Sequence, residues 1–144
     1  MSRVINTDST GKQRNNLMRT IAEMLRRLSQ KPAIDDEAKD MLALIVYCLR
    51  GIDEGIDSSA AAWEKRDYWM KADELRTRWA WTGAIAAQVE QIILKELWND
   101  LPLMMVKLMP YFSDIDVNKL TRKESLWRGC YTRFLQEQPP ALPK

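Results

Sequence analysis

Residues 59–98, SAAAWEKRDYWMKADELRTRWAWTGAIAAQVEQIILKELW, hold five of the chain's six tryptophans: Trp63, Trp69, Trp79, Trp81 and Trp98. Tyr68, Ala72, Leu75, Trp79, Thr82, Ala86, Val89 and Ile93 recur at alternate spacings of four and three, the period that keeps an apolar seam turned toward a partner helix. Trp81, Ile85, Ile92 and Trp98 run beside that seam and widen it to a core-facing stripe. The stretch therefore predicts a near-continuous helix and, with it, an all-α fold. At the helical rise it would span about 60 Å. A compact chain of 144 residues should measure roughly 35 to 40 Å across. Either the helix bends, with Thr82-Gly83 its weakest point, or its end projects and is covered by a second subunit.

The flanking segments carry the same helical period. Thr10-Gly11-Lys12-Gln13 matches a capping box and opens a helix to about residue 30, with Leu17, Ile21, Met24, Leu25 and Leu28 in one stripe. Pro32 ends it. Asp35 caps a second helix, in which residues 41–49 are apolar around the whole circumference, as in a helix at the centre of a bundle. Gly51, Gly55 and Asp57 mark the passage to residues 59–98, although Ile52 and Ile56 continue the spacing of Leu49. Beyond Pro102 a short helix over residues 103–109 reads as buried, and Pro110 closes it. Thr121-Arg122-Lys123-Glu124 matches a second capping box and opens a last helix to about residue 137. Residues 1–9 read as a flexible arm and residues 138–144 as an extended, proline-rich tail. The expected architecture is one helical domain over residues 1–144, a bundle of about five helices. A chain of this length buries about two-thirds of its unfolded surface, so neither disulfides nor metals are needed to hold it.

Charge is spread unevenly. Residues 1–31 carry seven basic and two acidic side chains, net +5, and residues 32–57 carry two and seven, net −5. Residues 58–101 are near neutral, with six against seven, and residues 102–144 carry seven against four, net +3. The short link at residues 31–34 implies an antiparallel hairpin, which would set Arg26, Arg27 and Lys31 beside Asp35, Asp36, Glu37 and Asp40. Histidine is absent, which removes nucleophilic mechanisms with an imidazole base and histidine metal sites. The two cysteines, Cys48 and Cys130, each lie in an apolar helical pattern and read as small core residues of a reducing compartment. With no leader pattern, and with its longest apolar run about half of a membrane crossing, the chain is expected to be cytoplasmic and to have no membrane partner.

No catalytic, cofactor-binding or metal-binding residue is predicted, and no cofactor. The surplus length of the tryptophan-rich helix makes a homodimer the leading expectation, with Trp69, Trp79, Trp81 and Val89 as candidate interface residues. Trp79 and Trp81 belong to the seam and its flank, whereas Trp69 falls away from the seam and is the best candidate for an exposed aromatic anchor. The functional expectation is an interaction or scaffolding module with a protein partner. The second choice is nucleic-acid binding through the basic terminal helices, with Arg122, Lys123, Arg128 and Arg133 as contacts. An unfamiliar enzyme ranks third.

Overall fold

A computed structural model describes residues 7–138. Its helices are α1 (Thr7–Ser29), α2 (Asp36–Lys65), α3 (Trp69–Leu94), α4 (Leu101–Leu108) and α5 (Cys130–Glu137), with 3₁₀ turns at Trp98–Asp100, Met109–Phe112 and Glu124–Leu126. No strand occurs among the described residues, so the fold is all-α with five helices. Residues 7–9 of the expected arm already belong to α1. The rest of that arm, and residues 139–144 of the expected tail, lie outside the described residues.

The helix boundaries in the middle of the chain differ from those expected. Residues 59–98 are not one helix: α2 runs on through Gly51, Gly55 and Ser59 to Lys65, and the chain reverses at Arg66-Asp67-Tyr68 rather than at Thr82-Gly83. Ile52, Ile56 and Ala60 are buried on the line that begins at Leu49, and that burial outweighs the roughly 1 kcal/mol each interior glycine costs. Gly51 has a packing role, because a Cβ there would stand 3.2 Å from the Leu17 Cδ1 of α1.

The reversal is a Schellman motif without glycine. Asp67 takes φ 64°. Its N–H donates to the Glu64 carbonyl at 3.0 Å, and the Tyr68 N–H donates to the Trp63 carbonyl at 2.9 Å. The apolar contact that accompanies such a cap is Trp63 meeting Tyr68 edge to face at 5.6 Å. The end of α3 repeats the device: Glu96 sits at φ 53°, and the Leu97 and Glu96 amides reach the Ile92 and Ile93 carbonyls at 2.8 and 3.3 Å. The surplus length is thus resolved by a hairpin, α2 against α3. Arg76 ties the two together through Glu64 at 2.8 Å and Asp57 at 3.3 Å, and Arg50 does so through Glu90.

The C-terminal third is fastened by carboxylates of α1 and α2 instead of its own caps. Thr121 does not open a helix. Its amide and hydroxyl both donate to the buried Glu23 of α1 at 2.5 Å, joined by Arg19 Nε at 2.8 Å and the Arg122 amide at 3.1 Å. Burial by itself would raise the Glu23 carboxyl, but these donors override it and hold the group down to about 2. The last helix starts only at Cys130, after Gly129 at φ 82°. Its N-terminus is capped from another helix, with Asp40 of α2 accepting from the Gly129 amide at 3.2 Å and the Tyr131 amide at 3.0 Å. Asp40 therefore does not balance α1 as the charge pattern implied. Lys31 pairs with Asp35 and Glu37, Arg27 with Glu37, and Arg26 donates to the Val117 carbonyl.

Two outcomes follow from these contacts. Asp67→Gly and Glu96→Gly should each raise unfolding free energy by about 0.5–1 kcal/mol, since glycine occupies the left-handed region without a Cβ penalty; urea melts at neutral pH measure this. Glu23→Gln should cost about 2–3 kcal/mol by weakening a set of charged, buried hydrogen bonds. The folded carboxyl titrates below its ordinary value of 4.5, so its stabilisation is complete above that pH and fades as pH falls toward 2. The gap between wild type and Glu23→Gln should narrow over that window in an acid titration followed by circular dichroism.

Candidate functional site

The seam residues of α3 turn inward. Val89 is 1 % exposed and packs in the core, so it is unavailable to a partner, in contrast to its place among the expected interface residues. Trp79 and Trp81 are half-buried and pack against that core. Their rings stack at 6.0 Å, and Trp81 lies parallel to Tyr111 at 3.9 Å with Phe112 edge-on at 5.9 Å. This aromatic column joins α3 to the 3₁₀ turn after α4. It walls an open cleft of about 430 Å³ with Asn15, Arg78 and Asp114. Arg14 lies 5.1 Å over the outer face of Trp79, and burial together with the neighbouring Arg78 charge lowers its proton affinity. Arg14 on Trp79, and Tyr111 on Trp81, already occupy part of each indole's stacking surface.

Trp69 is different. It is 60 % exposed at the start of α3, beside Met70 at 79 % and Tyr68 at 52 %, on the corner where the α2–α3 hairpin reverses. Trp63 is half-buried there beneath Lys71, whose ammonium sits 4.7 Å from its ring. A second apolar surface lies on α4. Residues 103–109 read as wholly buried, yet only Met104 and Leu108 are, while Leu103 at 67 %, Val106 at 64 % and Met109 face water. The run of apolar residues hid the fact that an eight-residue helix laid on the outside of a bundle can bury only one face. A third exposed surface is the outward side of α3, where small and uncharged residues predominate beyond Thr77.

The basic residues of the C-terminal region do not form one surface. Arg122 is spent internally, donating to Thr20, to the Asn16 carbonyl and to the Asn16 side chain, with Glu23 at 3.5 Å. Arg128 pairs with Glu124 at 2.8 Å. Arg133 lies over the Tyr47 ring at 4.2 Å and beside Glu137. Lys123 is exposed on the preceding turn. They were grouped on the strength of one expected helix over residues 121–137. A 3₁₀ turn and the Gly129 bend place them in different directions.

Among the described residues no three His, Cys, Asp or Glu side chains are arranged to hold a metal ion, and no helix is long and apolar enough to cross a membrane. Compared with protein-family models, curated proteins and solved structures, the chain matches none. Cys48 and Cys130 are buried free thiols. Burial, then the adjacent Cys130, pushes the Cys48 thiol up to about 12, and burial also raises Cys130. Since the thiolate is the reactive form, neither should react with a disulfide reagent at pH 8 in the folded protein, and both should react once denaturant is added; a thiol count by absorbance checks this.

Proposed function

We propose that this chain is a helical interaction module that self-associates as a dimer and offers a further apolar face to a protein partner. The observation that supports it is the size of the apolar side chains left in water. Met70, Leu103, Val106 and Trp69 are each exposed by 60 % or more, and they sit on helices, where side chains are held in place rather than on loops that could fold over them. Aromatic and methionine side chains on a firm scaffold are the anchors of protein interfaces. Two buried, reduced thiols suit a reducing compartment such as the cytoplasm.

A nucleic-acid role has less support. It would require the positive charge of residues 1–31 and 102–144 to gather on one surface, and three of its four candidate contacts are engaged within the chain. Self-association is tested by sedimentation at micromolar concentration, where a dimer burying more than about 1,000 Å² in total is expected. Trp69→Glu should leave the helical signal intact and shift the population to monomer. Val89→Glu should unfold the chain, because it places a charge in the core. A well-folded wild-type monomer at all concentrations would falsify the dimer.

A further inference from the structure

The outward face of α3 is unusual for a helix turned to water. Met70, Asp73, Thr77, Ala80, Ala84, Ala87, Gln91 and Leu94 are all exposed and are spaced alternately three and four apart. Over residues 80–94 the exposed positions of this face carry no charge, although 29 % of the chain is charged. A seam of that period on the far side from the core is the pattern of a helix with a second helical neighbour. None of α1, α2, α4 or α5 covers it.

The order of residues along the stripe says which helix would fit. Read from its two ends, the stripe pairs Met70 with Leu94, Asp73 with Gln91, Thr77 with Ala87 and Ala80 with Ala84. It is complementary to itself when reversed. We propose that this face is the dimer seam, with α3 packing antiparallel against α3 of a second copy about a two-fold axis that passes between Ala80 and Ala84. This rests on the self-association proposed above and specifies its geometry. A closed, isologous pair needs a patch that matches itself under rotation, and this one does so at every position.

Packing and charge agree with that register. Thr77, Ala80, Ala84 and Ala87 allow the axes to approach to about 8 Å, while Trp69, Met70 and Leu94 close both ends with large apolar surface. Among the described residues Asp73, Glu74 and Lys95 form no ion pair within the chain. In the antiparallel pair Lys95 comes beside Asp73 and Glu74 of the second copy, twice by symmetry, and Trp69 falls opposite Lys95 of the second copy. A parallel pair would instead set Asp73 against Asp73 and leave Lys95 without an acid.

Cysteine pairs read the register directly, since the native thiols are buried. Met70→Cys and Leu94→Cys proteins, mixed and oxidised, should form a covalent heterodimer, whereas Met70→Cys alone should not. In the antiparallel pair two copies of position 70 lie about 36 Å apart along the axis. Ala84→Glu, at an exposed position and with a good helix former, should retain the fold by circular dichroism and weaken dimerisation by about 100-fold or more. Lys95→Glu should weaken it about fivefold, with recovery on adding Glu74→Lys. Cross-linking of Met70→Cys with itself, or a dimer by sedimentation that Ala84→Glu leaves unchanged, overturns the α3 seam while leaving self-association standing. A monomer in every case removes both.

Discussion

The rest of the molecule is arranged around residues 41–49 of α2, of which only Tyr47 is less than fully buried. Met41, Leu42, Ala43, Leu44, Ile45, Val46, Cys48 and Leu49 are all buried, so this helix must be covered around its whole circumference. Transfer of such side chains from water is favourable by about 1.5–3 kcal/mol each for the larger ones, and no surface arrangement recovers that. α1 covers one side, α3 a second and α5 a third. The far half of α2, from Ile52 onward, is apolar only on the line it shares with α3. It therefore leaves the centre as one arm of a hairpin.

That division explains why polar fixings appear where they do. The segment after α4 has too few apolar residues to dock by burial alone, and it is held by Glu23, which satisfies the Thr121 and Arg122 amides from within α1. Asp40 does the same for the start of α5, which has no side-chain cap of its own. A buried carboxylate is tolerated only where donors surround it. Glu23 meets that condition, Asp40 is half-buried, and each fixes a segment that local propensity would leave loose. The hairpin arm has the opposite balance: it is firm in backbone but thinly covered, with Ala60 and Ala72 as its buried contacts near the tip. Trp69 and Met70 there are left mostly in water, so the surface proposed for self-association lies at the tip and along α3 instead of over the core.

Much of this was legible in the residue pattern. The heptad seam of α3 is the buried line of that helix, from Ala72 through Val89 to Ile93, and the circumferentially apolar run is the centre of the bundle. Trp69, placed off the seam by the wheel, is exposed. The errors share a cause. The bend expected at Thr82-Gly83 does not occur, and the two reversals that bound α3 use Asp67 and Glu96 in left-handed geometry, held by carbonyls of the preceding turn. Capping boxes were read from local spacing, yet Thr10 lies inside α1, and Thr121 gives its hydroxyl to Glu23, a residue 98 positions away.

The amino-acid order by itself determined the period of every long segment, and hence the helical class, the buried face of α3 and the central position of α2, because hydrophobic periodicity acts over a few residues and needs no knowledge of what lies opposite. It also determined the absence of imidazole chemistry. Only the tertiary structure decided where the long helical stretch divides, which acid caps α5, and which side of α3 and α4 stays in water. Those outcomes depend on competition between distant groups for the same donor, the same cavity or the same cover. A carboxylate cannot show in the linear order whether it will balance a neighbouring lysine or satisfy an amide brought to it by the fold.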